Sequence, residues 1–244
     1  MERKFVIKNL VVNSWEDIEK YYEDLLQRQI HSKDELVQWM KDRSELESVL
    51  EEDLAWRYIK MNCNTEDEKL SEKFNFFVTE IEPKITEKSN LLDKKYIETP
   101  IHQELKSTDY QIITRHIKND IELFRKENIP LFAALQKEEQ EFGRINGAMM
   151  VEYGGKEYTL QQASNFLKDL DRNVRKEVYE LINNRRLQDA DKLNKNLTSL
   201  IQKRQQIAKN AGFEHYRDFK HKELDRFDYS IEDCLIFHES IKKA

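Results

Sequence analysis

Apolar residues recur along most of the chain at intervals of three and four, the spacing that gathers side chains on one face of an α-helix. Trp15, Ile18, Tyr22 and Leu25 form the first stripe, with Ser14 placed as N-cap and acidic residues in the first turn. Ser32-x-x-Glu35 opens a longer helix. One of its stripes runs Leu36, Met40, Leu50, Leu54, Tyr58 and Met61, and a second adds Trp39, Val49 and Trp56, so it is expected to pack on two sides. Thr65-x-x-Glu68 starts a third helix through Leu70, Phe74, Phe77, Ile81 and Ile85. Pro83 should kink it, because proline removes a backbone donor and crowds the preceding turn. A helix after Pro100, with Asp109 near its start, turns Ile113, Ile117, Ile121 and Phe124 toward the core. Pro130 then begins a shorter one bearing Leu131, Leu135 and Phe142.

The pattern changes period at residues 147–162, GAMMVEYGGKEYTLQQ. Four of the five glycines (Gly143, Gly147, Gly154, Gly155) lie in this neighbourhood, with β-forming residues on both sides of Gly154-Gly155. A two-residue hairpin turn needs positive φ at both central positions, which glycine supplies without steric cost, so a β-hairpin is expected at about 147–160. Met149, Val151 and Tyr158 are its packing residues. Thr159-x-x-Gln162 then caps a short helix through Phe166 and Leu167.

From Asp171 the helical pattern continues through Val174, Val178, Leu181, Ile182, Leu193, Leu197, Leu200, Ile201, Ile207 and Ala208. Unbroken, that is about 40 residues and roughly 60 Å. Gly212 suits the left-handed position just past a helix end. Ser230-x-x-Asp233 caps a last helix carrying Leu235, Ile236 and Ile241, and the chain stops about four turns into it without a stop signal, which reads as truncation. Phe5–Val12 reads as a short N-terminal strand. The fold class is therefore mainly α, a multi-helix array with one short hairpin and that strand.

Composition narrows the function classes. Charged residues make up 36% of the chain and Gly plus Pro only eight positions, as in long-helix proteins, while 39% hydrophobic residues suffice for a sizeable core. The net charge of −6 gives no electrostatic footprint for nucleic acid. A basic partner or a neutral small molecule fits better. Cys63 and Cys234 are far apart and outside any CxxC spacing, so neither a disulfide framework nor a thiolate metal site is indicated. The opening MERKFVIKNLVV is broken by Lys8 and Asn9 and has no small-residue cleavage site, and no stretch has the length of a membrane span. A soluble cytoplasmic protein with no membrane partner is expected.

Candidate chemistry is sparse. None of His31, His102, His116, His215, His221 and His238 has a second histidine four residues on, the spacing that sets two imidazoles on one helical face for zinc. HESIK begins like a His-Glu-x-x-His motif at His238-Glu239 but has Lys242 where the second ligand would stand. Gly143-x-x-x-Gly147 lacks the Lys-Ser/Thr ending of a phosphate loop, and no serine sits in a nucleophile elbow. Carboxylate pairs such as Glu51-Glu52 and Glu138-Glu139 read as solvated faces. No catalytic, cofactor-binding or metal residue is assigned, and the chain alone is expected to bind no zinc.

Three stretches carry a resemblance. GKEYTLQQASNFLKDLDRNVRKEVYELINNRR resembles the region of the oligoendopeptidase F family, thimet-oligopeptidase-like zinc metallopeptidases, where a strand precedes a Thr-Leu…Asp-Arg-x-x-Arg helix. IAKNAGFEHYRDFK is similar to that family's Ala-x-x-x-Gly-Tyr/Phe-x-x-Tyr turn, matched by Ala208, Gly212, Phe213 and Tyr216. RSELESVLEEDLAWRYIKMNCNT and FNFFVTEIEPKI look like its helical N-terminal region. The resemblance covers nearly the whole chain and implies a mostly helical fold around a deep channel, with one zinc ion held by a His-Glu-x-x-His helix and a downstream glutamate. In that family the zinc polarises the scissile carbonyl and its bound water while the motif's glutamate is the general base. No position here matches that motif.

The implied reading is the N-terminal portion of a zinc-dependent oligoendopeptidase that hydrolyses short peptides, this portion walling the substrate channel. Residues 1–142 would be a helical lobe and 143–244 the start of a catalytic domain, inactive without its C-terminal half. The edge Met150–Tyr153 could pair with an extended peptide backbone. The alternative is a non-catalytic helical interaction module.

Overall fold

The computed structural model describes residues 3–64 and 67–242. In chain order the helices are α1 (Glu16–Gln27), α2 (Lys33–Cys63), α3 (Glu68–Phe76), α4 (Glu82–Glu98), α5 (Thr108–Leu123) and α6 (Ile129–Gly147). A hairpin of β1 (Met150–Tyr153) and β2 (Lys156–Thr159) follows, then α7 (Leu160–Ala163), α8 (Arg172–Gln188), α9 (Ala190–Asn210), α10 (Tyr216–Glu223) and α11 (Ile231–Lys242). Among the described residues the two antiparallel strands are the only sheet, so the mainly α class with one hairpin stands.

The expected N-terminal strand does not form. Strand N–H groups need acceptors on a neighbouring strand, and here a single side chain takes them. Glu45 of α2 accepts the backbone N–H groups of Lys4, Phe5 and Val6 at 2.8–3.0 Å, which ties down an irregular segment with Val6 and Val12 buried. The cap of α1 also differs from expectation. Trp15 is the N-cap and no side chain caps the first turn; the Asp17 carboxylate instead accepts the N–H groups of Asn13 and Ser14, ahead of the helix, at 2.8 and 2.9 Å. Those bonds hold its carboxyl below the usual carboxylate range.

Elsewhere the caps follow the sequence. Ser32 Oγ accepts from Glu35 N–H while Glu35 accepts from His31 N–H at 2.7 Å. The expected cap at Thr65 lies outside the described residues; α3 begins instead on Asp67, whose carboxylate accepts from Lys69 N–H. Pro83 stands in the first turn of α4, directly after one π-helical turn at Phe77–Ile81. A wider turn absorbs the missing donor without ending the helical path. It also keeps Phe77, Val78 and Ile81 buried.

The long repeat from Asp171 is broken. Asp189 leaves the helical region at φ −104°, ψ 9°, and its buried carboxylate receives Arg185 at 2.6 Å and Lys192 at 2.9 Å. Aspartate is a poor helix-interior residue, and here its side chain is held by both flanking helices. An apolar repeat that runs past this point does not register the break. The same repeat overstates burial: Leu197 and Ile201 on α9, Ile113 on α5, Phe142 on α6 and Trp56 and Tyr58 on α2 are exposed. On α2 the buried positions concentrate between Leu36 and Leu50, with Met61 the exception.

By compactness the chain divides into one unit of residues 1–133 and 205–244 and another of residues 134–204, the dividing positions falling inside α6 and α9. The main core belongs to the first unit: Trp15, just before α1, and Ile18, Tyr22 and Leu25 of α1 join Leu36, Trp39, Leu46 and Leu50 of α2, Leu92 and Tyr96 of α4 and Ile117 of α5. In the second unit Val151, Ala163, Val178 and Ile182 form a smaller core.

Gly212 closes α9. It sits at φ +88°, with Phe213 N–H bonded to Ala208 O at 2.9 Å and Gly212 N–H to Lys209 O at 3.0 Å, the paired bonds of a Schellman motif. Space is not the constraint, since a Cβ there would touch nothing within 4 Å. The constraint is the backbone, and Gly212→Val is expected to lower stability by about 1–2 kcal/mol. An unchanged chemical-denaturation midpoint would remove the cap assignment.

Candidate functional site

Among the described residues the hairpin is the one β element, and local chemistry positions it. Gly154 and Gly155 have φ of +61° and +74°, the pair of positive angles that a type I′ turn requires. Register pairs Val151 with Tyr158, Tyr153 with Lys156 and Glu152 with Glu157. Alternation sends Val151, Tyr153 and Tyr158 inward, where both tyrosine rings lie against Phe166 at 5.0 and 5.2 Å and Val151 joins the core with Val178 and Ile182 of α8. Glu152 and Glu157 face each other on the exposed side, a like-charge pair that adds no stability. Thr159 and Gln162 complete the expected capping box, with Thr159 N–H donating to Gln162 Oε1 at 2.9 Å. The outer edge of β2 is therefore partly consumed by the cap. No third strand lies beside either edge among the described residues.

The histidines do not gather. His102 is buried under Tyr96, with Nδ1 2.8 Å from Thr99 O. His215 stands exposed at the residue before α10 without a side-chain capping bond, and His221 lies edge-on to Tyr229. In the HESIK stretch Glu239 pairs with Lys242, the residue standing where a second histidine would be. Among the described residues no three His, Cys, Asp or Glu side chains converge as metal ligands, so the donor set for a zinc ion is not assembled from them.

His116 is different, and its setting was not visible in the sequence. His116 Nε2 lies 3.1 Å from Asp120 on the same helix, a spacing of four that sequence can show. Its Nδ1 lies 2.6 Å from Asp225, which is 109 positions away and brought there only by the fold. Further in, Arg43 of α2 pairs with Glu47 and with the buried Asp93 of α4, each at 2.7 Å. Burial pushes the Asp93 carboxyl up, against the pull of Arg43. Burial also lifts Asp120 to about 6, with His116 drawing it down and Asp93 and Asp225 pushing it up.

Comparison with known proteins matches residues 9–124 to the peptidase M3 N-terminal domain. No curated protein matches the chain. Three solved structures share its fold at a TM-score of 0.88. One, described as an oligoendopeptidase F, is 19% identical and aligned over 99% of this chain and 43% of its own. PZ peptidase A with an inhibitor is 20% identical over 98% and 43%. An oligoendopeptidase F from Bacillus anthracis str. Ames is 18% identical over 98% and 45%. The chain thus spans less than half the length of these relatives. Residues 9–124 are thus similar to the peptidase M3 N-terminal domain, and the chain as a whole has the fold found in part of the oligoendopeptidase F structures.

Proposed function

We propose that these 244 residues are the N-terminal portion of a cytoplasmic, zinc-dependent oligoendopeptidase that hydrolyses short peptides, and that they form a wall of its substrate channel. The observation carrying this reading is the likeness over 98–99% of this chain to peptidase chains more than twice as long, together with the M3 N-terminal domain match. In this reading residues 1–142 are a helical lobe and 143–244 begin the catalytic domain. Zinc ligands and general base would come from residues outside these, in keeping with the dispersed histidines. β1 offers the longer free edge to an extended peptide, because the Thr159 N–H of β2 is already bound. No described helix is long and apolar enough to cross a membrane, which accords with the proposed compartment.

The test is to express the complete reading frame that contains this chain and assay quenched-fluorescence short peptides. Cleavage abolished by chelation and restored by zinc is expected from the complete product, and none from the 244 residues alone. A complete frame without His-Glu-x-x-His and without cleavage would overturn the peptidase reading and favour the non-catalytic interaction module.

A further inference from the structure

Asp225 ends α10 in the left-handed region at φ +52°, the only non-glycine among the described residues with positive φ. The backbone bonds are those of a glycine-type helix end: Arg226 N–H reaches His221 O at 3.3 Å and Asp225 N–H reaches Lys222 O at 3.0 Å. Glycine would hold that backbone with less strain, so the aspartate calls for a reason in its side chain. Its carboxylate lies 2.6 Å from His116 Nδ1 and accepts from Asn119 Nδ2 at 3.1 Å, and Asn119 Nδ2 also donates to Lys222 O at 2.8 Å. On the far side of the His116 ring, Nε2 faces Asp120 Oδ2 at 3.1 Å.

An imidazole with a carboxylate oxygen at each nitrogen has a definite proton requirement. Neutral imidazole has one N–H and one lone pair. Both contacts are hydrogen bonds only if the trio holds one further proton, on the ring or on one carboxyl. Without it, a lone pair faces a carboxylate oxygen and the trio carries one more negative charge. We propose that His116, Asp120 and Asp225 form a proton-gated clasp, which fastens the end of α10 to α5 and so fixes the segment leading to α11.

Arg43 faces the trio from α2 and Asp93 from α4, and the two pair with each other. From α5, Arg115 reaches Asp228 at 3.3 Å and covers the Phe227 ring at 4.4 Å, while Glu122 pairs with Lys222 of α10. These contacts remain when the trio loses its proton, so the opening is local. The raised Asp120 carboxyl gives the direction. A carboxyl that holds its proton more tightly folded than unfolded adds stability at acid pH, and the gain is lost as pH rises through the folded value of about 6. Below that pH both ring nitrogens are bonded; above it the Asp120 arm is lost and the hold on α10 is weakened, with Asn119 still bonded to Asp225 and Lys222 O.

Amide exchange on the full chain tests this at Asp225, Arg226 and Phe227, whose N–H groups are all bonded within the turn. After correction for base-catalysed exchange, protection should fall between about pH 5 and about pH 8, by less than about tenfold because solvent screens this half-exposed trio. Asp120→Asn should stay protected at both values, since its amide can donate to the Nε2 lone pair while Nδ1–H holds Asp225. Asp225→Gly, which keeps the helix end and removes the carboxylate, should show low protection at both. Constant protection in the native chain, or an unaltered fall in Asp120→Asn, would overturn the clasp.

Discussion

Trp39→Ala is expected to destabilise the fold by about 4 kcal/mol, the range of large-to-small changes at a fully buried aromatic. The Trp39 ring is fully buried in the main core. Its Nε1–H donates to Leu25 O at 2.8 Å, at the end of α1. Lys95 of α4 reaches the same end, donating to the carbonyls of Leu25, Leu26 and Arg28 at 2.6–2.8 Å, with its ammonium 6.0 Å from the Trp39 ring. Three helices therefore meet at one side chain. Removing it opens a cavity and withdraws one donor from an α1 carbonyl. Trp39→Phe goes part of the way, because it keeps one aromatic ring in the core and loses the hydrogen bond with part of the indole packing, for about 1–3 kcal/mol. Urea unfolding of both variants measures this; a Trp39→Ala loss no larger than that of Trp39→Phe would show that the core reorganises around the site.

Arg43→Met should cost about 3–5 kcal/mol, for an electrostatic reason. Arg43 is the partner of Asp93, whose side chain is 6% exposed, and of Glu47 on its own helix. Taking away the guanidinium strands a buried carboxylate whose proton affinity burial already raises. Asp93→Leu in the same chain removes that charge, and the double variant should recover much of the loss, since replacing both partners by apolar groups is often close to neutral. A double-mutant cycle on denaturation midpoints reads the coupling directly. Additive losses would mean that the pair is not coupled and that Asp93 finds another partner.

Much of the local structure was legible in the sequence because its causes are local. Helical periodicity placed the stripes, and side chains within a few residues of each helix start supplied the caps at Ser32, Thr159 and Ser230. The turn at Gly154-Gly155 and the helix end at Gly212 follow from positive φ, which the residue type itself announces. What periodicity could not supply was which apolar face finds a partner. Trp56, Leu197 and Ile201 have the same spacing as Trp39 and Leu200 yet stay exposed, because burial depends on whether another helix lies opposite. Phe5–Val12 had strand-like residues, and a glutamate 40 positions away took the N–H groups that a strand would have shared.

The same division holds for the sites. Sequence determined that no zinc motif is written in this chain and, through the stretches quoted, which peptidase family it resembles. Only the tertiary structure decided that His116 stands between Asp120 and Asp225, that Arg43 meets Asp93, and that Asp225 bears a strained backbone at that place. The physical reason is range: caps and turns are set by bonds spanning a few residues, whereas these charges meet only after the core has fixed α2, α4, α5 and α10, and their protonation responds to the burial that results.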